Sequence, residues 1–204
     1  EAVRRLRTNL QYANLSDQNS SFLVTSSISG EGKSMTSVNL AIALADTGAR
    51  TVLVDADLRR PSVADYLGLE GEAGLTTVLV GRAELGDVLQ EWSEGGIAVL
   101  AAGHLPPNPA EMLGSREMSE LLSELTASYD AVVIDSPPLL PVTDAALLSK
   151  LVSGTLLLAG TDRVRKAELT ASLEALDAVD ARILGIVLNR VERKHRSYDD
   201  GTYT

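Results

Sequence analysis

The fold is decided by one stretch of sequence, SFLVTSSISGEGKSMTSVNLAIALADTG, which covers residues 21–48. It opens with a short run of apolar and β-branched residues at 21–27, a pattern typical of a buried strand. A turn containing Gly30 and Gly32 follows, and then an amphipathic segment that predicts a helix over 34–47. The order strand, glycine turn, helix places backbone N–H groups at a helix N-terminus, where anions bind.

Five more strand-like runs follow this one along the chain, at 51–57, 96–103, 131–137, 154–160 and 182–190. They are nearly continuous in Val, Ile and Leu instead of alternating with polar residues, which indicates parallel strands covered on both faces. Predicted helices lie between them, at 115–128, 144–151 and 166–179. The sequence therefore predicts an α/β fold with helices on both faces of a mostly parallel sheet, and the glycine turn gives this fold a resemblance to the P-loop NTPases. We expect a single domain over residues 1–190 and a flexible C-terminal tail over 191–204.

The composition narrows the functional classes. The 204 residues are 45% hydrophobic and 23% charged, which is typical of a folded globular domain. A formal net charge of −10 argues against a nucleic-acid partner, because a large nucleic-acid surface needs positive charge. The absence of cysteine excludes a disulfide framework, a thiolate zinc site and a cysteine nucleophile.

The glycine turn carries two side chains that suit a nucleoside triphosphate. Glycines let successive N–H groups curl around phosphate oxygens, and Lys33 would reach the β and γ phosphates. The hydroxyl of Ser34 would be a ligand of Mg²⁺, which prefers oxygen. The usual P-loop pattern has Gly or Ala where this chain has Ser27, so the turn alone also fits an ordinary strand-to-helix connection with an exposed lysine.

Three carboxylates mark the ends of two later strands: Asp55 and Asp57 after one, and Asp135 after the other. Ligands of open α/β sheets bind at the carboxyl ends of the strands. Each acid alone could cap the helix that follows it. Together with Lys33 and the glycine turn, the three favour a site for a triphosphate with its Mg²⁺.

These residues give the chain a resemblance to a known family, the bacterial tyrosine kinases (BY-kinases), in their cytoplasmic catalytic domain. That family comprises the tyrosine autokinases of capsule and exopolysaccharide synthesis. The resemblance rests on SISGEGKS at 27–34, VLVDADLR at 52–59, GHLPPNPAEML at 103–113, VVIDSPP at 132–138 and VLNR at 187–190.

The resemblance implies an enzyme, an autokinase that transfers the γ-phosphoryl group of Mg-ATP to tail tyrosines of a neighbouring subunit. It would thereby regulate the synthesis and export of a polysaccharide. Two alternatives share the same pocket: a P-loop ATPase switch like MinD or ParA, and a non-catalytic nucleotide-dependent scaffold for polysaccharide export. The first usually carries an additional lysine near the start of the loop, where this chain has Ile28 and Ser29.

The resemblance also implies a role for each site residue, with ATP and Mg²⁺ as cofactors. The catalytic residues are Lys33 and Asp55, the latter facing the incoming phenol as orienting group or base. Magnesium is held by Ser34, Asp57 and Asp135. The nucleotide is bound by Ser29, Gly30, Glu31, Gly32, Lys33, Ser34, Met35 and Asn189. Asn189 would read the purine edge, although an Asn there could simply cap a turn.

Partners and location follow from the same resemblance. Glu1, Arg4 and Arg7 match a pattern that packs subunits into a ring-like homo-oligomer, although a solvated basic helix has the same spacing. The expected phosphate acceptors are Tyr198 and Tyr203, and a phosphatase would remove the phosphate from them. For Tyr12, Tyr66 and Tyr129 we expect packing roles. We expect the domain in the cytoplasm at the inner face of the plasma membrane. It would be attached there as part of a larger membrane protein, with its activator segment, or through an adaptor.

Overall fold

A computed structural model describes residues 1–13, 20–92, 94 and 96–191 of the chain. These residues form a seven-stranded sheet in the order β3-β4-β2-β5-β1-β6-β7. The strands are β1 Ser20–Ser26, β2 Thr51–Asp55, β3 Gln90–Trp92, β4 Ile97–Leu100, β5 Ala131–Asp135, β6 Gly154–Gly160 and β7 Ile183–Asn189. All neighbouring strands run parallel except β3, which is antiparallel to β4. The predicted α/β fold is confirmed. The expected acceptors Tyr198 and Tyr203 lie outside the described residues, as does all of the predicted tail beyond Val191.

Helices connect the strands and cover the sheet. They are α1 Ala2–Ala13, α2 Lys33–Ala45, α3 Val63–Leu67, α4 Leu75–Leu79, α5 Leu85–Val88, α6 Pro109–Leu113, α7 Arg116–Ser128, α8 Asp144–Ser149 and α9 Lys166–Asp177. The four helices predicted from sequence periodicity correspond to α2, α7, α8 and α9. Among the described residues, no helix combines the length and the apolarity needed to cross a bilayer.

The hydrophobic core lies on both faces of the sheet because side chains alternate along each strand. In β2, Val52 and Val54 pack in a cluster that includes the apolar side of α7, with Met118 and Leu125. Leu53, between them, packs in the opposite cluster with α2. Both faces of the sheet are therefore shielded from solvent, which explains why the central strands are continuous apolar runs in the sequence.

Two features of the sheet differ from the prediction. The edge strand β3 was not expected, because Gln90–Trp92 is too short and polar to show a period of two and is defined by its pairing with β4. Strand β7 was expected to be buried, yet Ile186 and Leu188 are 44% and 64% exposed because the strand lies at the other edge.

Two of the three packing tyrosines were predicted wrongly. Tyr129 is half-buried against the main apolar cluster, as expected. Tyr12 and Tyr66 are 70% and 54% exposed. Both lie on helix surfaces, and an isolated tyrosine in a sequence does not reveal which side of its helix faces the core.

The strand order also places the site. Strands β2, β5 and β1 are consecutive neighbours, and all three run parallel. Their carboxyl ends therefore meet at one edge, about 4.8 Å apart from strand to strand. The loop after β1, Asp135 at the end of β5 and Asp55 at the end of β2 lie side by side there.

Candidate nucleotide-binding and phosphoryl-transfer site

The loop between β1 and α2 depends on two glycines. Gly30 and Gly32 have φ angles of 82° and 94°, in the left-handed region that favours glycine. A Cβ atom on Gly32 would collide with the side-chain amide of Asn189, so another residue at this position would displace that amide and also adopt a strained φ angle. Helix α2 begins directly after it, at Lys33, and has no acidic residue in its first turn. Its N-terminus therefore offers uncompensated partial positive charge to an anion.

The side chain of Glu31 holds this loop from inside the protein. It is fully buried, and its Oε2 accepts a hydrogen bond from the N–H of Ile28 at 2.9 Å. Its Oε1 accepts one from the N–H of Gly160, at the end of β6, at 2.8 Å. Glu31 was predicted as a nucleotide contact. Because its carboxylate fixes the loop through these two hydrogen bonds, a contact with the nucleotide would come from its backbone N–H.

Lys33 is nearly buried at the base of the loop, with 7% of its surface exposed. Asp57 is exposed to the same extent, and burial raises the pKa of its carboxyl group. The positive charge of Lys33 opposes that rise and acts in the same direction on Asp135. One ammonium group is thus close enough to interact with carboxylates from two different strands.

Asp135 is the site residue whose surroundings point most clearly to a metal ligand. It is fully buried, and burial, together with the charge of Asp55, raises its pKa to about 7. Its Oδ1 accepts a hydrogen bond from the hydroxyl of Ser37 at 2.9 Å. Its Oδ2 is buried and makes no hydrogen bond of standard geometry with a described residue, although the hydroxyl of Ser34 is close enough to lower the pKa of the carboxyl group. A buried carboxylate oxygen with no partner fits a metal ion or a metal-bound water.

Asp55 is also fully buried, and burial raises the pKa of its carboxyl group to about 6. Its Oδ1 accepts the N–H of Asp57 at 3.2 Å, and its Oδ2 accepts the N–H groups of Ser62 and Val63 at 3.1 and 3.0 Å. The carboxylate therefore also organises the start of α3. A cavity of about 190 Å³ lies beside it, between Pro61 and the chain around residues 71 and 102.

Asp57 organises the turn that follows β2. Its Oδ1 accepts the N–H groups of Arg59 and Arg60 at 3.3 and 3.0 Å. Arg59 in turn makes two hydrogen bonds to Asp144 at the start of α8, at 2.8 and 2.9 Å. The turn bearing Asp57 is thereby tied to the segment that follows Asp135.

The predicted magnesium set, Ser34, Asp57 and Asp135, is compatible with this arrangement. No group of three or more His, Cys, Asp or Glu side chains in the described part of the chain could enclose a metal ion. Magnesium beside a triphosphate does not need such a cage, since it keeps waters and takes one or two carboxylates plus phosphate oxygens. Two carboxylates and one hydroxyl around Lys33 are a suitable donor set.

The structure brings Asn189, which was predicted to read the purine edge, to the glycine loop. Its Nδ2 donates a hydrogen bond to the backbone carbonyl of Glu31 at 2.8 Å. Ser29 and Met35 lie on the rim, where both are exposed. The amide of Asn189 thus has a structural partner in addition to any purine contact.

Arg163 is a site residue that the sequence analysis missed. A Cβ on Gly30 would lie 3.0 Å from its Nη1, so the guanidinium group lies against the glycine loop. Arg163 makes no ion pair with a carboxylate among the described residues; the neighbouring Asp162 pairs with Arg190 instead, at 3.3 Å. Its sequence signal is its place after the strand at 154–160, on the same sheet edge as the loop.

Comparison with known proteins defines the family. Residues 22–203 match the CobQ/CobB/MinD/ParA nucleotide binding domain. The tyrosine-protein kinase YwqD of Bacillus subtilis strain 168 is 39% identical over 199 residues, which cover 97% of this chain and 84% of YwqD. The chain belongs to the bacterial tyrosine kinases within this nucleotide-binding family. The resemblance inferred from its motifs is confirmed.

Solved structures agree with this assignment. The kinase domain of the Escherichia coli tyrosine kinase Etk has a TM-score of 0.91 and 34% identity, covering 98% of this chain and 79% of that domain. Of full-length Etk from strain K12 the chain spans only 27%. The septum site-determining protein MinD of Pyrococcus horikoshii, solved with Mg-ADP, has a TM-score of 0.72 and 25% identity, covering 87% of this chain and 72% of MinD.

Proposed function

We propose that this chain is an ATP-dependent protein tyrosine kinase that transfers the γ-phosphoryl group of Mg-ATP to tyrosine. The observation that carries the proposal is the unpartnered Oδ2 of Asp135, buried beside the charge of Lys33 at the start of α2. An oxygen in that position suits the divalent ion of a nucleotide. The similarity to YwqD and to the Etk domain, both tyrosine kinases, supports tyrosine as the acceptor.

The residues of the loop would bind and orient the phosphates. Phosphoryl transfer proceeds through a loose transition state, so catalysis depends on positioning and on neutralising charge. The left-handed glycines direct backbone N–H groups to the ligand, and Lys33 supplies a fixed positive charge. Ser34, Asp57 and Asp135 would hold Mg²⁺, which supplies further positive charge on the phosphate oxygens when bound.

Asp55 is the group that we assign to the acceptor. A phenol has a pKa of about 10, so at neutral pH its proton must be accepted or directed by a neighbouring group. Burial raises the pKa of Asp55 to about 6, which makes it a stronger base than an ordinary carboxylate. The cavity of about 190 Å³ beside it offers space for an aromatic side chain.

The acceptors that we propose are Tyr198 and Tyr203 of a neighbouring copy, with a phosphatase to reverse the reaction. Assembly would use α1, where Arg4 is exposed. Arg7, by contrast, donates from Nη1 to the carbonyl of Ala43 at 3.1 Å and so ties α1 to α2 of its own chain. Regulation of polysaccharide synthesis and export, at the inner face of the plasma membrane, is a further part of the proposal, and it follows from the resemblance of the motifs to those of the bacterial tyrosine kinases.

The proposed function is tested by intact-mass measurement after incubation with Mg-ATP. We expect added phosphate on the unmodified chain and none on Lys33→Met. The matched control is Lys150→Met, an exposed lysine at the end of α8, which should label normally. Phosphate released to water without any covalent product would indicate an ATPase switch, and undiminished labelling of Lys33→Met would refute the site.

A further inference from the structure

A second, larger cavity of about 440 Å³ lies on the far side of Asp55 from the glycine loop. Its walls come from α4 with the chain just before it, and from the segment that follows β4. The walls include the exposed apolar side chains of Val80 and Leu105, which are 51% and 56% exposed. Among the described residues, apolar surface and charged groups thus border the same cavity.

This cavity and the small cavity beside Asp55 share the same two chain segments. The small one is bordered by Gly71 and Ala102, and the large one by Glu72 and His104. Strand β4 is the neighbour of β2, so the segment after it emerges at the same sheet edge as Asp55. A peptide whose tyrosine reached Asp55 would have a path along these segments into the large cavity.

Three polar side chains that border the large cavity make no hydrogen bond or ion pair with any described residue. Thr76 is 5% exposed, and its Oγ1 is buried without a hydrogen-bond partner among the described residues. Arg82 and His104 are exposed, and neither forms an ion pair within the described part of the chain. Unpaired donors beside apolar surface suit a ligand that is partly apolar and carries anionic or hydrogen-bonding groups, as a peptide does.

We propose that this cavity binds the residues that follow the acceptor tyrosine in the segment SYDDGTYT, residues 197–204, with Asp199 and Asp200 close to Arg82 and His104. The inference rests on the proposed kinase function and names a docking surface for its substrate. Charge complementarity at Arg82 supports it: an acidic segment approaching a protein of net charge −10 needs local positive charge. Glu72 borders the cavity as well, so the attraction comes from individual contacts and not from a net positive field.

The length of chain after Val191 is compatible with a segment that comes from a second copy. The last described residue, Val191, follows β7, which lies four strand positions from β2. Four spacings amount to roughly 19 Å. The seven residues from Val191 to Tyr198 span at most about 24 Å when fully extended. Tyr198 of the same chain would reach Asp55 only if the segment were almost straight, whereas a segment from a second copy has no such constraint.

The test uses the full chain with Tyr198→Phe and Tyr203→Phe, which removes the proposed acceptors, and the phosphate on the added peptides is measured by mass. The peptides are SYDDGTFT, SYNNGTFT and SYKKGTFT, each with one tyrosine, and kcat/KM is measured for each at saturating Mg-ATP. We expect the Asn peptide to lose about fivefold to tenfold relative to the Asp peptide, the effect of one or two charge-assisted contacts. The loss should appear in KM, with KM for ATP unchanged.

Charge reversal locates the contact. Arg82→Glu should weaken the Asp peptide and improve the Lys peptide, whereas Lys150→Glu, the same charge change at the other end of the sheet, should leave the ranking unchanged. Equal kcat/KM for the three peptides on the unaltered cavity would overturn the docking proposal, even if Arg82→Glu failed to fold. Absence of phosphate on every peptide and on the natural tail would instead refute the kinase function itself.

Discussion

Asp55 and Asp135 are register partners on the adjacent parallel strands β2 and β5, and both carboxyl groups are fully buried. Burial is the main cause that raises the pKa of Asp55 to about 6 and that of Asp135 to about 7. Two carboxylates this close titrate as a pair, since the charge of one disfavours ionisation of the other. Near neutral pH, protons therefore compete with a metal ion for this pair of carboxylates.

The first prediction concerns stability against pH. An unfolded Asp has a pKa of about 3.9, so the folded chain binds more protons than the unfolded chain at mildly acidic pH. This contribution to the free energy of unfolding is complete below about pH 4 and is lost as the pH rises through 6 and 7. Urea unfolding of the protein without nucleotide should show a decline from pH 5.5 to 8 that Asp135→Asn reduces. Asp177→Asn, an exposed carboxylate on α9, is the control; an identical pH dependence in Asp135→Asn and the unmodified protein would contradict the prediction.

The second prediction concerns ligand binding at the same pair. Because Mg²⁺ requires the ionised carboxylate, the thermal stabilisation by Mg-ADP should be larger at pH 8 than at pH 6. ADP with EDTA should show a smaller dependence on pH, and Asp135→Asn should remove the part that depends on magnesium. If ADP raised the melting temperature by the same amount with and without magnesium at pH 8, a metal-binding role for Asp135 would be excluded.

The third prediction concerns the brace inside the loop. Glu31→Ala leaves the N–H groups of Ile28 and Gly160 without their acceptor, at a cost of about 1–3 kcal/mol for each group that stays buried. Glu31→Gln keeps one acceptor oxygen and should lose less. Both variants should raise the KM for ATP, and Glu31→Ala should raise it more than Glu31→Gln. Urea unfolding measures the loss of stability, and steady-state kinetics measure the KM. Full stability together with a normal KM in Glu31→Ala would disprove the brace.

The fourth prediction separates Arg163 from its neighbours. Arg163→Ala removes a cation that lies against Gly30 and should raise the KM for ATP about fivefold to twentyfold, with the melting temperature unchanged. Arg165→Ala removes another exposed arginine two residues away and should have little effect. If both variants weaken ATP equally, the effect is one of overall charge and the position of Arg163 has no special role.

The fifth prediction is a double-mutant cycle on Arg59 and Asp144. Asp144 is fully buried and its partner is partly exposed, so removing Arg59 leaves a buried carboxylate without its two hydrogen bonds. Arg59→Ala should lower the free energy of unfolding by about 1–3 kcal/mol. Asp144→Asn in that background should add less than it costs alone, with a coupling energy of about 1 kcal/mol. Strict additivity would show that the pair does not act as a unit.

The sequence predicted the central part of the fold because it is written in local patterns. Runs such as Val52–Val54 are apolar on both faces, which only a covered parallel strand explains. Strand β3 lacks such a pattern and exists through its partner, and the exposure of Leu188 follows from its place at an edge. Element type was predictable, whereas position at an edge depends on the whole sheet.

The candidate site divides in the same way. The sequence predicted Lys33, Ser34 and the acids at the strand ends because they follow the glycine loop and the apolar strands at fixed spacings. The bonds from Asp55 to Ser62 and Val63 join residues across a turn whose shape the sequence does not specify. Arg163 lies more than a hundred residues from the loop it touches, and only the folded chain brings the two together.

The carboxylate of Glu31 has a consequence for the kinetics of nucleotide capture. Its two bonds set the curvature of the loop when the chain folds, before any ligand arrives. The loss of backbone entropy is thus already included in the folding free energy, and association needs no slow ordering of the loop. Discrimination between nucleotides should consequently appear in their residence times, while their association rates remain similar.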